Sequence, residues 1–68
     1  MRVIEHYKIG ILTGSGTVIV NYISSIVPRV GETILVRGRQ FKVNHITHGI
    51  DHKEDRNENF LNVYTEEI

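Results

Sequence analysis

The sequence predicts an all-β protein: a small five-stranded meander barrel of SH3-like type, with an open OB-like barrel as second choice. Three observations carry this. Apolar and polar residues alternate with a period of two along much of the chain, the period of a strand with one buried face. Glycine clusters and a single proline interrupt the alternation at short intervals, as turns between hairpin strands do. The chain has 68 residues, enough for one domain spanning 1–68 and a thin core, because a domain of this size buries only about 60% of the surface its unfolded chain exposes. Closure into a barrel would remove the strand edges that invite aggregation.

The elements follow in order. In 3–11, Val3, Tyr7, Ile9 and Ile11 alternate with the polar His6 and Lys8, which reads as a strand with one inward face. Thr13-Gly14-Ser15-Gly16 is a turn, since glycine supplies the positive φ that a tight hairpin requires. Segment 17–23 is rich in β-branched residues, with Val18, Val20 and Tyr22 on one face and Ile19 and Ile23 on the other. Two apolar faces suggest a central strand, or one that also meets a partner. Pro28 donates no backbone hydrogen bond and belongs in a connection or at an edge, and Gly31 is a candidate for a positive-φ turn position. A third strand spans 33–37, then a tight hairpin at Arg37-Gly38-Arg39-Gln40, then a fourth strand over 41–47 with Phe41, Val43 and His45 on one face. Segment 49–58 reads as a charged polar loop. In 60–66, Val63, Tyr64 and Thr65 favour a closing strand, while Phe60, Leu61, Tyr64 and Ile68 would also line one face of a helix.

The run Val27-Pro28-Arg29-Val30-Gly31-Glu32-Thr33-Ile34, followed by Gly38, Phe41 and Val43, resembles a pattern found in short barrel proteins encoded by phages and prophages, many of unknown function. The pattern is Pro-x-x-Gly-Glu/Asp-x-apolar, a glycine turn, then aromatic-x-valine. It covers about seventeen of the 68 residues. The resemblance implies a barrel hairpin and a mobile-element origin, and it carries no site residues over.

Composition narrows the function. Eight basic and eight acidic side chains cancel, whereas a general nucleic-acid binder draws most of its affinity from a basic excess. Charge is nonetheless uneven. From 29 to 42 there are four basic residues (Arg29, Arg37, Arg39, Lys42) against Glu32; from 51 to 68 there are two basic residues against six acidic ones. Such asymmetry can orient assembly or focus an anion. There is no cysteine, which removes disulfides and thiolate metal sites and fits a reducing cytoplasm. Apolar runs such as Val18-Ile19-Val20 fall far short of the roughly 20 residues of a membrane-spanning helix, and the stretch 1–6 lacks the apolar centre of a signal peptide. A cytoplasmic protein is expected, in the host cell if the gene is phage-borne, with no membrane partner. A chain this small with no disulfide gains from self-association, so a homo-oligomer is expected.

Two constellations carry candidate chemistry. In 45–55, His45, His48 and His52 stand among Asp51 and Asp55, ligand types suited to zinc or another divalent metal. In a strand His45 and His48 face opposite ways, so the candidate set is His48, Asp51, His52 and Asp55 in a tightly folded loop. The alternatives are a pH-sensitive histidine surface and an ordinary solvated loop. The second constellation is Arg29, Arg37, Arg39 and Lys42. Guanidinium forks match phosphate and carboxylate bidentately, which suits a nucleotide or a short nucleic acid. Ordinary solubility charge beside a hairpin is the competing reading. Gly10, Gly14 and Gly16 do not read as a phosphate loop, because no helix follows. Serines and threonines lie in no recognisable triad context. The expectation is a non-enzymatic binding module without cofactor that acts on a protein partner or on itself, with anion binding and metal stabilisation as alternatives.

Overall fold

The computed structural model describes residues 6–68; the expected start of the first strand at Val3 lies outside them. Five strands make up the sheet: β1 (Tyr7–Thr13), β2 (Val18–Ser24), β3 (Thr33–Val36), β4 (Arg39–His52) and β5 (Asn57–Glu67). The all-β expectation holds, and the closing segment is a strand and not a helix. The mixed sheet curls into a half-barrel.

Strand order is β2-β1-β5-β4-β3. This is the ring order of a five-stranded meander opened between β2 and β3. The hairpins β1–β2, β3–β4 and β4–β5 are antiparallel. An odd number of alternating strands ends in the direction it began, so β1 and β5 meet in parallel. β2 is therefore an edge strand, which removes the first of the two readings of its apolar faces, a central strand. The central place belongs to β5.

The inner face carries the core. Ile9 and Ile11 of β1, Val43 of β4, and Leu61 and Val63 of β5 form the buried cluster, with Tyr7, Ile19, Val20, Tyr22, Val27, Ile34 and Ile46 packed against it. Thr65 is the buried polar residue among the described residues, and its hydroxyl donates to the Leu12 carbonyl at 2.8 Å; among the described residues no buried side-chain polar atom lacks a partner.

Two bulges decide which side chains face inward. In β4, Val43 pairs with Thr65 and His45 with Tyr64, leaving Asn44 as an extra residue. A bulge reverses the alternation beyond it. Ile46 consequently joins the core while His45 turns outward onto Tyr64, with ring centroids 5.8 Å apart. His45 thus does not share a face with Phe41 and Val43. In β2, Ile11 pairs with Val20 and Leu12 with Val18, so Ile19 is the extra residue there; it packs against the core with Val20 and Tyr22 while Val18 and Ile23 are exposed, which corrects the expected grouping of Val18 with Val20 and Tyr22 and of Ile19 with Ile23.

The polar loop expected over 49–58 is mostly strand. β4 and β5 stay paired out to His52 and Asn57, and the connection shrinks to 53–56, closed by Lys53 N–H donating to the Arg56 carbonyl at 2.8 Å. Cross-strand packing holds this arm. Gly49 lies opposite Phe60, and a Cβ at Gly49 would sit 2.0 Å from the Phe60 Cζ. The ring therefore covers the glycine, a pairing that restores buried area where a strand has no side chain. The long hairpin makes the molecule 40 Å along its major axis and gives a radius of gyration of 13.0 Å, against about 11 Å for a compact domain of this length.

The Arg37–Gly38 turn joins Val36 to Arg39 with φ of 52° and 79° at its two central residues, the signature of a type I′ hairpin. Gly31 has φ 94° in the turn where Glu32 N–H donates to the Arg29 carbonyl. The Glu32 carboxylate accepts from Arg29 N–H at 2.6 Å, which ties the connection before β3.

Candidate functional site

The sheet opens between its two edge strands, β2 and β3. The connection 25–32 bridges the opening. Val27 packs against the core, whereas Ile26 beside it is 79% exposed and Val30 63%. A cavity of about 350 Å³ lies in the opening, lined by Tyr22, Ile26, Val27, Pro28, Thr33 and Ile34 among others. Burial pushes the Tyr22 hydroxyl above its ordinary pKa. On one side of the opening runs the edge of β2 that is unpaired among the described residues, seven residues without a charge or a proline. On the other runs β3, four residues and also uncharged.

The outer face of the sheet carries a second depression, of about 610 Å³, over Gly10. Gly10 pairs with Asn21 on one side and Asn62 on the other. Both carboxamide oxygens lie within 4 Å of where its Cβ would be. Lys8, Ile23 and Phe60 complete the rim. Lys8 is bonded to Glu58 at 2.8 Å, and Arg56 reaches the same carboxylate at 3.3 Å. Hydrogen bonds from Lys8 and then Arg56 hold the Glu58 carboxyl below its usual range.

The four expected anion-binding residues occupy different places. Arg29 is in the connection, Arg37 at the β3–β4 turn, and Arg39 and Lys42 on opposite faces of β4, as an odd and an even strand position must be. Arg39 is engaged by Glu67 through both its Nε and Nη2 and lies 5.8 Å from the Phe41 ring centroid. That ion pair raises the Arg39 pKa and lowers that of Glu67. Arg29, Arg37 and Lys42 have no ion-pair partner among the described residues.

The expected metal-ligand residues are also separated. His48 lies 3.3 Å from the Asn59 Oδ1 and packs edge-on to Tyr7. His52 meets Asn57 at 2.7 Å. Asp51 falls on the opposite face of β4 from these two histidines, and Asp55 is in the connection 53–56. Among the described residues no group of three or more histidine or carboxylate side chains is placed to hold a metal ion. The pairing of β4 with β5 is the cause: an extended hairpin sends alternate residues to opposite sides, where a folded loop could have gathered them.

Sequence reasoning did not single out Ile26, Val30 or Leu35 as exposed, nor Asn21 and Asn62 over Gly10. The signal for the first group was weak, since an apolar residue in a connection reads as core cover. The β2 edge did leave a mark, in the apolar character of both its faces. No protein-family model, no characterised protein and no solved structure matches the chain. Among the described residues no helix is long and apolar enough to cross a membrane.

Proposed function

We propose that this chain is a non-enzymatic binding module that recognises protein by accepting a strand on the free edge of β2. One observation carries the reading: an uncharged seven-residue edge strand, with Ile23 67% exposed, beside an opening into the core. An unpaired edge presents a row of N–H and C=O groups to any extended segment. Proteins that keep such an edge free guard it with lysine, proline or an inward-pointing charge. β2 has none of these; its bulge at Ile19 lies at one end and leaves Val20 to Ser24 as regular ladder. The cytoplasm is the compartment that suits a cysteine-free chain, and the hairpin pattern at 27–43 favours a phage accessory or host-inhibitor role within this reading.

The test is native mass spectrometry and affinity capture with the full chain, beside an Ile23→Lys variant. A lysine on this outward position charges the edge without entering the core. The expected result is a bound protein, foreign or identical, that is lost in the variant. Monomers that capture nothing, or capture unchanged by Ile23→Lys, overturn the proposal.

A further inference from the structure

The outer face of the sheet is independent of strand acceptance at the β2 edge. Lys8, Gly10 and Leu12 alternate onto that face of β1. Gly10 lies in register between Asn21 of β2 and Asn62 of β5. In the next row Lys8 lies between Ile23 and Phe60. The depression of about 610 Å³ sits on these two rows.

Two glycines stand inside strands, Gly10 in β1 and Gly49 in β4, and they are covered differently. Neither has a positive φ, so backbone conformation does not call for glycine at either position. Gly49 lies under the Phe60 ring. At Gly10 the atoms nearest to where a Cβ would be are the Asn21 Oδ1 at 3.0 Å, the Asn62 Oδ1 at 3.6 Å and the Leu12 Cδ1 at 3.7 Å. Glycine inside a strand marks a close approach to the backbone, and here two carboxamide oxygens make it. Asn57 and Asn59 meet His52 and His48. The Asn21 and Asn62 carboxamides have no hydrogen-bond partner among the described residues.

We propose that the depression over Gly10 binds an adenine-type ring, with its amino group above Gly10 between the Asn21 and Asn62 oxygens. Two acceptors gathered at one point suit a group with two donors, and an exocyclic amino group on a flat ring carries two N–H bonds. A carboxamide holds its donor beside its acceptor, so an asparagine that accepts from the amino group also donates to the adjoining ring nitrogen. Asparagine reads the N6 and N7 edge of adenine in this way. Phe60, Ile23 and the bare backbone of Gly10 supply the apolar surface for the ring, and an apolar hollow with a few convergent polar groups is the usual make-up of a small-ligand site. An aliphatic ammonium is the other group with several donors, and the rim disfavours it. Lys8 stands there already, and the one carboxylate at hand, Glu58, takes both Lys8 and Arg56. Recognition through the base also needs no phosphate contact, which fits a chain without a basic excess.

The test is NMR titration of the full chain with adenosine, inosine and ribose 5-phosphate, following the side-chain amides of Asn21 and Asn62, with calorimetry for Kd. Adenosine is expected to shift both carboxamides. Inosine, which has a carbonyl in place of the amino group, is expected to bind about tenfold more weakly, and ribose 5-phosphate to leave both unmoved. Asn21 is exposed, so Asn21→Ala is expected to keep the wild-type circular dichroism and to weaken adenosine about tenfold. In Gly10→Ala the added methyl meets only the tip of the Asn21 side chain, so the fold is expected to persist while adenosine binding is lost. A single-stranded oligodeoxyadenylate separates two sources of the ring. Tighter binding with a steep salt dependence places it in a nucleic-acid strand, and equal or weaker binding identifies the free nucleoside. Carboxamides that do not respond to millimolar adenosine overturn the proposal. So does inosine binding as well as adenosine, or adenosine binding unchanged by both Asn21→Ala and Gly10→Ala.

Discussion

β5 and β2 differ in a way opposite to what their sequences suggest. β2 is the more apolar strand, with Val18, Ile19, Val20, Tyr22 and Ile23 among its seven residues. β5 carries Asn57, Glu58, Asn59, Asn62, Glu66 and Glu67 among eleven. Yet β5 has a hydrogen-bonded neighbour on both sides and buries Leu61, Val63 and Thr65, while β2 has one neighbour among the described residues and leaves Val18 and Ile23 exposed. Strand position is decided by connectivity. Odd strand number and short hairpins bring the chain's last strand beside its first, and β2 is left at the rim. Apolar surface beyond what the core uses then collects at an edge.

The largest effect expected from this contrast is in the β1–β5 region. Ile11 is completely buried against Val63 and Val43. Ile11→Ala is expected to cost about 2–5 kcal/mol, a large share of the roughly 3–10 kcal/mol that a chain of this length has in all. Ile23→Ala at the rim is expected to stay within about 0.5 kcal/mol. Urea unfolding of the two variants at low protein concentration measures the difference, and equal losses would break the contrast.

Next in size is Thr65→Val. It keeps the volume but leaves the buried Leu12 carbonyl without the hydroxyl that donates to it. A loss of about 1–2 kcal/mol is expected, read as a lower midpoint at unchanged slope. A neutral result would mean that β1 and β5 are held by packing and backbone bonds alone.

The rim hairpin should respond in the other direction. Arg37 holds a φ of 52° in the β3–β4 turn, a conformation that asparagine adopts more readily. Arg37→Asn is expected to stabilise the protein by about 0.5–1 kcal/mol, measured by thermal unfolding. A destabilised variant would show that the guanidinium makes a contribution larger than the backbone strain.

The smallest effect is electrostatic and pH-dependent. Glu58 and Glu67 have folded-state pKa values below the usual carboxylate range, through hydrogen bonds from Lys8 and from Arg39 respectively. A depressed carboxylate contributes stability that is present above its unfolded pKa, about 4.3, and is lost as pH falls through the folded value. Glu58→Gln and Glu67→Gln should therefore lower Tm slightly at pH 7 and match the wild type only in acid below the depressed folded-state pKa. Both ion pairs are exposed, so high salt should shrink the effect at pH 7. A difference that persists in acid would assign the effect to packing.

Much of the architecture was legible from residue pattern. The alternation at Tyr7, Ile9 and Ile11, the turn at 13–16 and the glycines at 31 and 38 each mark a local conformation, because period and positive φ are properties of a few neighbouring residues. The candidate sites were less legible. His48, Asp51, His52 and Asp55 are close in sequence, and a charged run without apolar alternation resembles a loop. Their separation depends on β5 pairing with β4 out to Asn57, a contact between segments that no local window contains.

The sequence by itself determined that the chain is all-β, that its turns fall where glycine permits them, and which residues supply an apolar face. These follow from backbone sterics and side-chain period. Only the tertiary structure decided that β5 is central, that β2 and β3 stand apart, and that Asn44 reverses the facing of His45 and Ile46. Those features arise from pairing between distant segments, where one extra residue in a ladder exchanges the two faces of the strand beyond it.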